Sequence, residues 1–131
     1  MSTLFVDTIK NQTGTTSLAA NKLPDMLSGS AKAWARFNGS GTAAIDDSFN
    51  TSSLTDNGTG KYELDWSSSF SASTYVTSGL CEAVSVGDSI VVCQRSTDVW
   101  TASSFGFSTV RGDNNFIDST RIAVIAHGDL A

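Results

Sequence analysis

Hydrolytic chemistry needs a nucleophile and a base, and the sequence has a single histidine, His127. No Gly-x-Ser-x-Gly elbow accompanies it and no triad-like spacing leads to it, so His127 reads as an ordinary strand residue. Cys81 or Cys93 would need a thiolate pKa lowered by a cation, and Arg95 is the one cation close in sequence to either. Both cysteines read as structural thiols, kept reduced. Paired carboxylates could serve glycoside chemistry, one protonating the leaving oxygen and one attacking or activating water. Asp46 and Asp47 are adjacent and would point to opposite faces of a strand, whereas Glu63 and Asp65 share the polar face of theirs. A solvated acidic face is the expectation for these four. No spaced Asp-x-Asp-x-Asp-Gly loop supplies the six or more oxygens calcium takes from one segment. The sequence therefore predicts no enzyme, no metal site and no cofactor.

Two short motifs are set aside on physical grounds. The Asn-x-Ser/Thr triplets at Asn11, Asn38, Asn50 and Asn57 are what a chain with 21 serines and 15 threonines produces by chance. Arg111-Gly112-Asp113 spells an adhesion tripeptide, but a turn already explains its glycine. Trp34, Trp66 and Trp100 are the remaining candidates, since aromatic rings dominate contact hot spots. Trp100 stands among polar, loop-forming neighbours, Arg95 to Asp98 and Ser103-Ser104. It is the expected exposed anchor, with Arg95 or Asp98 supplying orientation.

The elements that must position such residues are strands. The 131-residue chain carries 16% charged and 40% hydrophobic residues, with 11 Gly and one Pro. A single domain of this size buries roughly two-thirds of its unfolded surface without a staple. Net charge is −5 with scattered cations, which argues against nucleic acid as a partner. No apolar run approaches the roughly 18 residues that span a bilayer, and Met1 to Lys10 has neither a basic start nor a long hydrophobic segment. A soluble chain made in a cytosol, with no membrane insertion, is expected.

Residues 1–30 read as an extended arm. Leu4, Val6 and Ile9 suit one strand, Asn11 to Thr16 is turn-rich, and Leu18 to Leu27 suits a short helical turn interrupted by Pro24. The arm's apolar residues, Leu4, Val6, Ile9, Leu23 and Leu27 among them, call for a partner surface. Residues 31–131 read as a succession of short strands. Ala33, Ala35 and Phe37 share one face, and Tyr62, Leu64 and Trp66 alternate with Lys61, Glu63 and Asp65. The preceding strand, Ser52 to Asp56, returns through Asn57-Gly58-Thr59-Gly60. A two-residue loop would set Leu54 opposite Lys61, but a three- or five-residue loop sets it opposite Tyr62 or Leu64 on the apolar face, so an odd loop with a glycine bulge is expected. Symmetry about Gly87 predicts a hairpin placing Cys81 opposite Cys93. Ile122 to His127 is apolar on both faces and should be central. The expected fold is all-β, an antiparallel β-sandwich or jelly roll of about eight strands, preceded by the arm.

One stretch has a family likeness. Ser30-Ala31-Lys32-Ala33-Trp34, Phe37-Asn38-Gly39-Ser40-Gly41-Thr42, and Ser48-Phe49-Asn50-Thr51-Ser52-Ser53-Leu54-Thr55-Asp56-Asn57-Gly58-Thr59-Gly60 with Tyr62 resemble a module of tail fibre and related virion proteins of tailed, notably marine, bacteriophages. The opening Met1-Ser2-Thr3-Leu4 with Val6-Asp7-Thr8-Ile9 looks like the start of many such fibre proteins, and Asp118-Ser119-Thr120-Arg121 before Ile122-Ala123-Val124 is similar to the module's last strand. Residues 67–113 carry no likeness.

The resemblance implies a non-enzymatic virion structural protein assembled in the host cytoplasm, a homotrimeric short tail fibre or spike. Its arm would hold other virion proteins and its outward β-domain would meet a host-surface glycan or protein. A capsid-decorating head fibre is the alternative, and a carbohydrate-binding module or a depolymerase are the remaining readings. Because the shared stretch suits a scaffold, partner contact is expected on loops between Ser67 and Asp113, at Trp100, Arg95 and Asp98.

Overall fold

The computed structural model describes residues 8–10, 17–19, 29–83, 85, 87 and 89–131. The chain divides into two units, residues 1–30 and 31–131. In the first, β1 (Thr8–Lys10) pairs antiparallel with β2 (Ser17–Ala19), setting Ile9 opposite Leu18. Leu18 therefore belongs to a strand and does not open a helical turn. The remaining residues assigned to the arm's contact, Leu4, Val6, Leu23 and Leu27, lie outside the described residues.

The second unit is an antiparallel β-sandwich. Its strands are β3 (Ala33–Asn38), β4 (Ala44–Phe49), β5 (Thr51–Asp56), β6 (Lys61–Trp66), β7 (Val76–Cys81), β8 (Ile90–Cys93), β9 (Ser104–Arg111) and β10 (Ile122–His127). One sheet runs β4-β3-β10-β7 and the other β5-β6-β9-β8. The doubly apolar β10 is central, as its sequence requires.

The core is filled by pairing small against large. The first sheet turns Ala33, Ala35, Phe37, Ile122, Val124 and Ala126 inward, and the second turns Tyr62, Leu64, Trp66, Phe105 and Phe107 toward them. Alanines leave the space that the opposing aromatic rings occupy. Phe37 meets Tyr62 edge-on at 5.2 Å and Phe107 at 6.0 Å. At the other end Phe70 stacks on Tyr75 at 4.2 Å, with Trp66 edge-on to both at 5.9 and 6.1 Å.

The β5–β6 hairpin takes one of the two registers the apolar face allows, Leu54 opposite Leu64. Lys61 N–H turns back to Gly58 O at 2.8 Å and Gly60 takes φ +63°, the glycine bulge of an odd-length loop. The expected hairpin between the cysteines does not form. β7 and β8 belong to different sheets, so Cys81 pairs with Ile122 and Cys93 with Ser108. Both are free thiols. Spacing about Gly87 describes only local symmetry, whereas β7 gains a six-residue antiparallel ladder on the apolar β10 and β8 a four-residue one on the longer β9.

Between β4 and β5 the chain changes sheet in a single residue. Asn50 has φ +52°, which asparagine tolerates better than most residues. Its amide nitrogen donates to Lys32 O and Ser68 O, both at 3.0 Å, and its side-chain oxygen accepts Ser68 N–H at 2.7 Å. The corner is thus tied to two other segments. Asn50→Ala, which loses the bonds and keeps the left-handed conformation, should cost more than about 2 kcal/mol in urea denaturation, and Asn50→Gly should recover roughly 1 kcal/mol of that by relieving φ. Equal losses in the two variants would show that the conformation is unstrained.

Candidate functional site

Arg95, Asp98 and Trp100 lie together on the connection between β8 and β9, and each is engaged within the fold. The Asp98 carboxylate accepts Arg95 N–H at 2.8 Å and the Ser108 hydroxyl at 3.3 Å. The Arg95 guanidinium lies over the Phe116 ring at 4.5 Å, a ring that also carries the Lys61 ammonium at 4.5 Å. Trp100 is half-buried, its ring 5.2 Å from Phe105 and 5.6 Å from Tyr75. The expected exposure fails because Thr101 N–H reaches Ser104 O at 3.0 Å and the Thr101 hydroxyl accepts Ser104 N–H at 3.0 Å, a turn that folds the indole back onto the core. What this connection leaves open is a polar cleft of about 270 Å³ between Thr97, Asp98, Asn57, Lys61 and Glu63.

Among the described residues no three His, Cys, Asp or Glu side chains converge as metal ligands would. Asp46 and Asp47 do not straddle their strand as simple alternation predicts. A bulge in the β3–β4 ladder leaves both exposed, with Asp46 3.7 Å from Arg36. Asp65 accepts the Ser53 hydroxyl at 2.6 Å. His127 ends β10 opposite Val76. Burial pushes the Cys81 thiol above its ordinary range, the reverse of what a nucleophile needs. In the Arg111-Gly112-Asp113 turn, Asn115 donates its backbone N–H and its amide to Asp113 at 3.1 and 2.8 Å, which holds that carboxyl below the usual range.

The feature that stands out is the outer face of the β4-β3-β10-β7 sheet. The registers place Phe49, Trp34, Ile125 and Ser78 in one row, and Asp47, Arg36, Ala123 and Leu80 in the next, with Val76 beside His127 at the end. Leu80 is 78% exposed, Val76 67%, Phe49 53% and Ile125 43%. A groove of about 250 Å³ crosses it, lined by Arg36, Leu80, Ala123, Arg121 and Glu82. Single exposed apolar residues are normal, but a contiguous patch on a sheet face marks a surface that something covers. The charges of this face cancel, Lys32, Arg36 and Arg121 against Asp46, Asp47 and Glu82, while the whole chain carries −5. Glu82 lies 3.6 Å from Arg121, an exposed pair worth roughly 0–1 kcal/mol.

Sequence reasoning did not nominate this face. Its signal was present in the second apolar set of β10, Ala123 and Ile125, which in a two-layer fold can face only solvent or a partner.

Opposite this face, under the core, Tyr62 donates to Gly39 O at 2.8 Å and to Asp118 at 3.0 Å, and Asp118 also accepts Gly60 N–H at 2.6 Å. Burial first, then the neighbouring Asp118 carboxylate, pushes the Tyr62 hydroxyl far above its ordinary range, and burial raises Tyr75 as well. Both groups hold their proton more tightly folded than unfolded. Their contribution is complete below pH of about 10 and is lost as pH rises through the folded values. Absorbance titration should therefore show both tyrosines ionising only as the fold is lost at high pH; ionisation of either in the folded protein at its ordinary pH would contradict the network.

Trp100→Ala should lower stability by about 2 kcal/mol or more in chemical denaturation, as removal of a packed ring does. An unchanged midpoint would return Trp100 to the surface. No protein-family model, curated protein or solved structure matches the chain.

Proposed function

We propose that the chain is a non-enzymatic virion structural subunit of a tailed bacteriophage, a short tail fibre or spike whose β-domain makes contact through the outer face of the β4-β3-β10-β7 sheet. The observation that carries this reading is that face: exposed, apolar and charge-balanced on a domain whose interior is otherwise well packed. Such a surface suits a protein that works by being covered, and the acids, thiols and histidine described above form no arrangement suited to acyl or glycosyl transfer. The likeness of residues 30–66 to fibre modules supplies the virion context. In this reading the arm, through Leu4, Val6, Ile9, Leu23 and Leu27, anchors the subunit in a homotrimer and to other virion proteins. The contact face replaces the Trp100 connection as the region that meets a host-surface glycan or protein.

Antibody labelling of intact virions in the electron microscope tests the context. Label at the tail is expected, label over the head would favour a capsid fibre, and no label would overturn the reading. Incubation with host-surface polysaccharide should release no reducing ends, and their release would make the protein a depolymerase. The face is tested by Phe49→Ser combined with Ile125→Thr, polar residues that strands accept. The variant should unfold within about 1 kcal/mol of the parent and adsorb to host cells at least tenfold less; unchanged adsorption would remove the face from the contact.

A further inference from the structure

The two sides of the sandwich end differently. On one side the edge strands are β4 and β5, joined at Asn50. β4 carries Asp46 and Asp47 and a bulge, and β5 ends in Asp56 and has a register shift between Thr51 and Ser53. Charges and bulges on an edge are the ordinary devices that stop it pairing with another chain. On the other side the edges are β7, Val-Thr-Ser-Gly-Leu-Cys, and β8, Ile-Val-Val-Cys. Neither has a charge or a proline, and their ladders run without a register shift.

Among the described residues, the ladders fix which backbone groups of these strands face away from their sheets. Glu82 N–H donates to Arg121 O at 2.8 Å, so in the alternating antiparallel pattern the N–H and C=O groups of Thr77, Gly79 and Cys81 point away from β10. Gly112 N–H donates to Ser89 O at 2.9 Å, which turns those of Ile90 and Val92 away from β9. The two edges are neighbours: a side-chain carbon on Gly79 would lie 2.8 Å from Val92. A cavity of about 350 Å³, lined by Thr77, Gly79, Val92, Gln94, Phe105 and Val124, opens between them.

We infer that this side is a strand-pairing interface for a second copy of the chain. A single two-fold axis normal to the sheets joins β7 to its copy and β8 to its copy at once, because both open edges lie on the same side. Centred on Gly79, the β7 pair sets Thr77 against Cys81 of the partner subunit. Centred on Val91, the β8 pair sets Ile90 against Val92 of the partner subunit. The two pairs together form about ten hydrogen bonds. A second copy is the occupant because the contact is self-complementary under that axis and brings no like charges together, although the chain carries −5. The product is two continuous eight-stranded sheets, and the exposed apolar faces of the two copies become one platform pointing the same way. The inference stands on the edges alone, so its failure leaves the virion reading intact.

The test uses the full chain at increasing concentration, with mass read by light scattering and edge amides by hydrogen exchange. Thr77→Pro and Ile90→Pro each delete an outward N–H without touching the intrachain ladder, a placement edge strands tolerate. The parent should have twice the mass of these variants, and exchange at Thr77, Gly79, Cys81, Ile90 and Val92 should slow at least tenfold as it doubles. If circular dichroism shows the proline variants unfolded, Val91→Lys serves in their place: it sets two lysines opposite each other on the axis at a residue 56% exposed, and should hold the protein at half the parent's mass. Edge amides that exchange fast at every concentration overturn the interface. So does doubling without their protection, or protection without doubling, which would assign the edge to a foreign strand.

Discussion

Everything in the sandwich depends on one volume constraint: the inner face of β3 and β10 must be small enough to admit the rings of β6 and β9. Ala33, Ala35 and Ala126 are fully or almost fully buried, in one cluster with the aromatic side chains of the other sheet. An interior at crystal-like density cannot shift one side without moving the other. The ring contacts therefore fix how the sheets lie, and that in turn fixes which residues are left outside. Ile125 is exposed and Trp34 half-buried because the alternating positions on β10 and β3 are committed to the core.

Two polar knots hold what the rings do not reach. Asn50 secures the corner where the chain passes between sheets, and Asp118 gathers Tyr62 and Gly60 at the far end of the core. Asn50 uses one side chain to satisfy three backbone groups, and Asp118 joins a backbone N–H to a buried hydroxyl. Ser119 also bridges separate segments, donating to Glu82 O at 2.8 Å.

Period-two alternation made the fold class, the central place of β10 and the seating of Leu54 on the apolar face of β6 legible, because each follows from which residues can be buried together, while the choice of Leu64 over Tyr62 as its partner stayed open. The partner of β7 was not legible. Symmetry around Gly87 is a local signal, and the ladder that won involves residues about forty positions away in sequence. The exposed apolar face was half-legible: β10 announced two apolar faces, but sequence alone reads a second apolar face as burial. Trp100 misled for the opposite reason. Polar neighbours suggested exposure, although those hydroxyls were making the turn that buries the ring.

The pairing of Ala33 with Ala126 has a mechanical meaning. The sandwich begins at β3, and beyond β10 the chain stays tied to residues 69–71 through Ser71 N–H to Asp129 O at 2.8 Å and Ala131 N–H to Ser69 O at 2.9 Å, so the two ends that lie side by side are the start of β3 and the end of β10, on adjacent central strands. Tension applied between those two ends would peel the ladder open one bond at a time, beginning with Lys32 N–H to Ala126 O. Tension between residue 31 and the outer sheet face runs along β3 and loads its bonds to β4 and β10 in shear, all together. Forced rupture is governed by the barrier along the pulling direction. A domain tethered at residue 31 and gripped on that face is therefore strained in its stiff direction, and its weak direction bears no load.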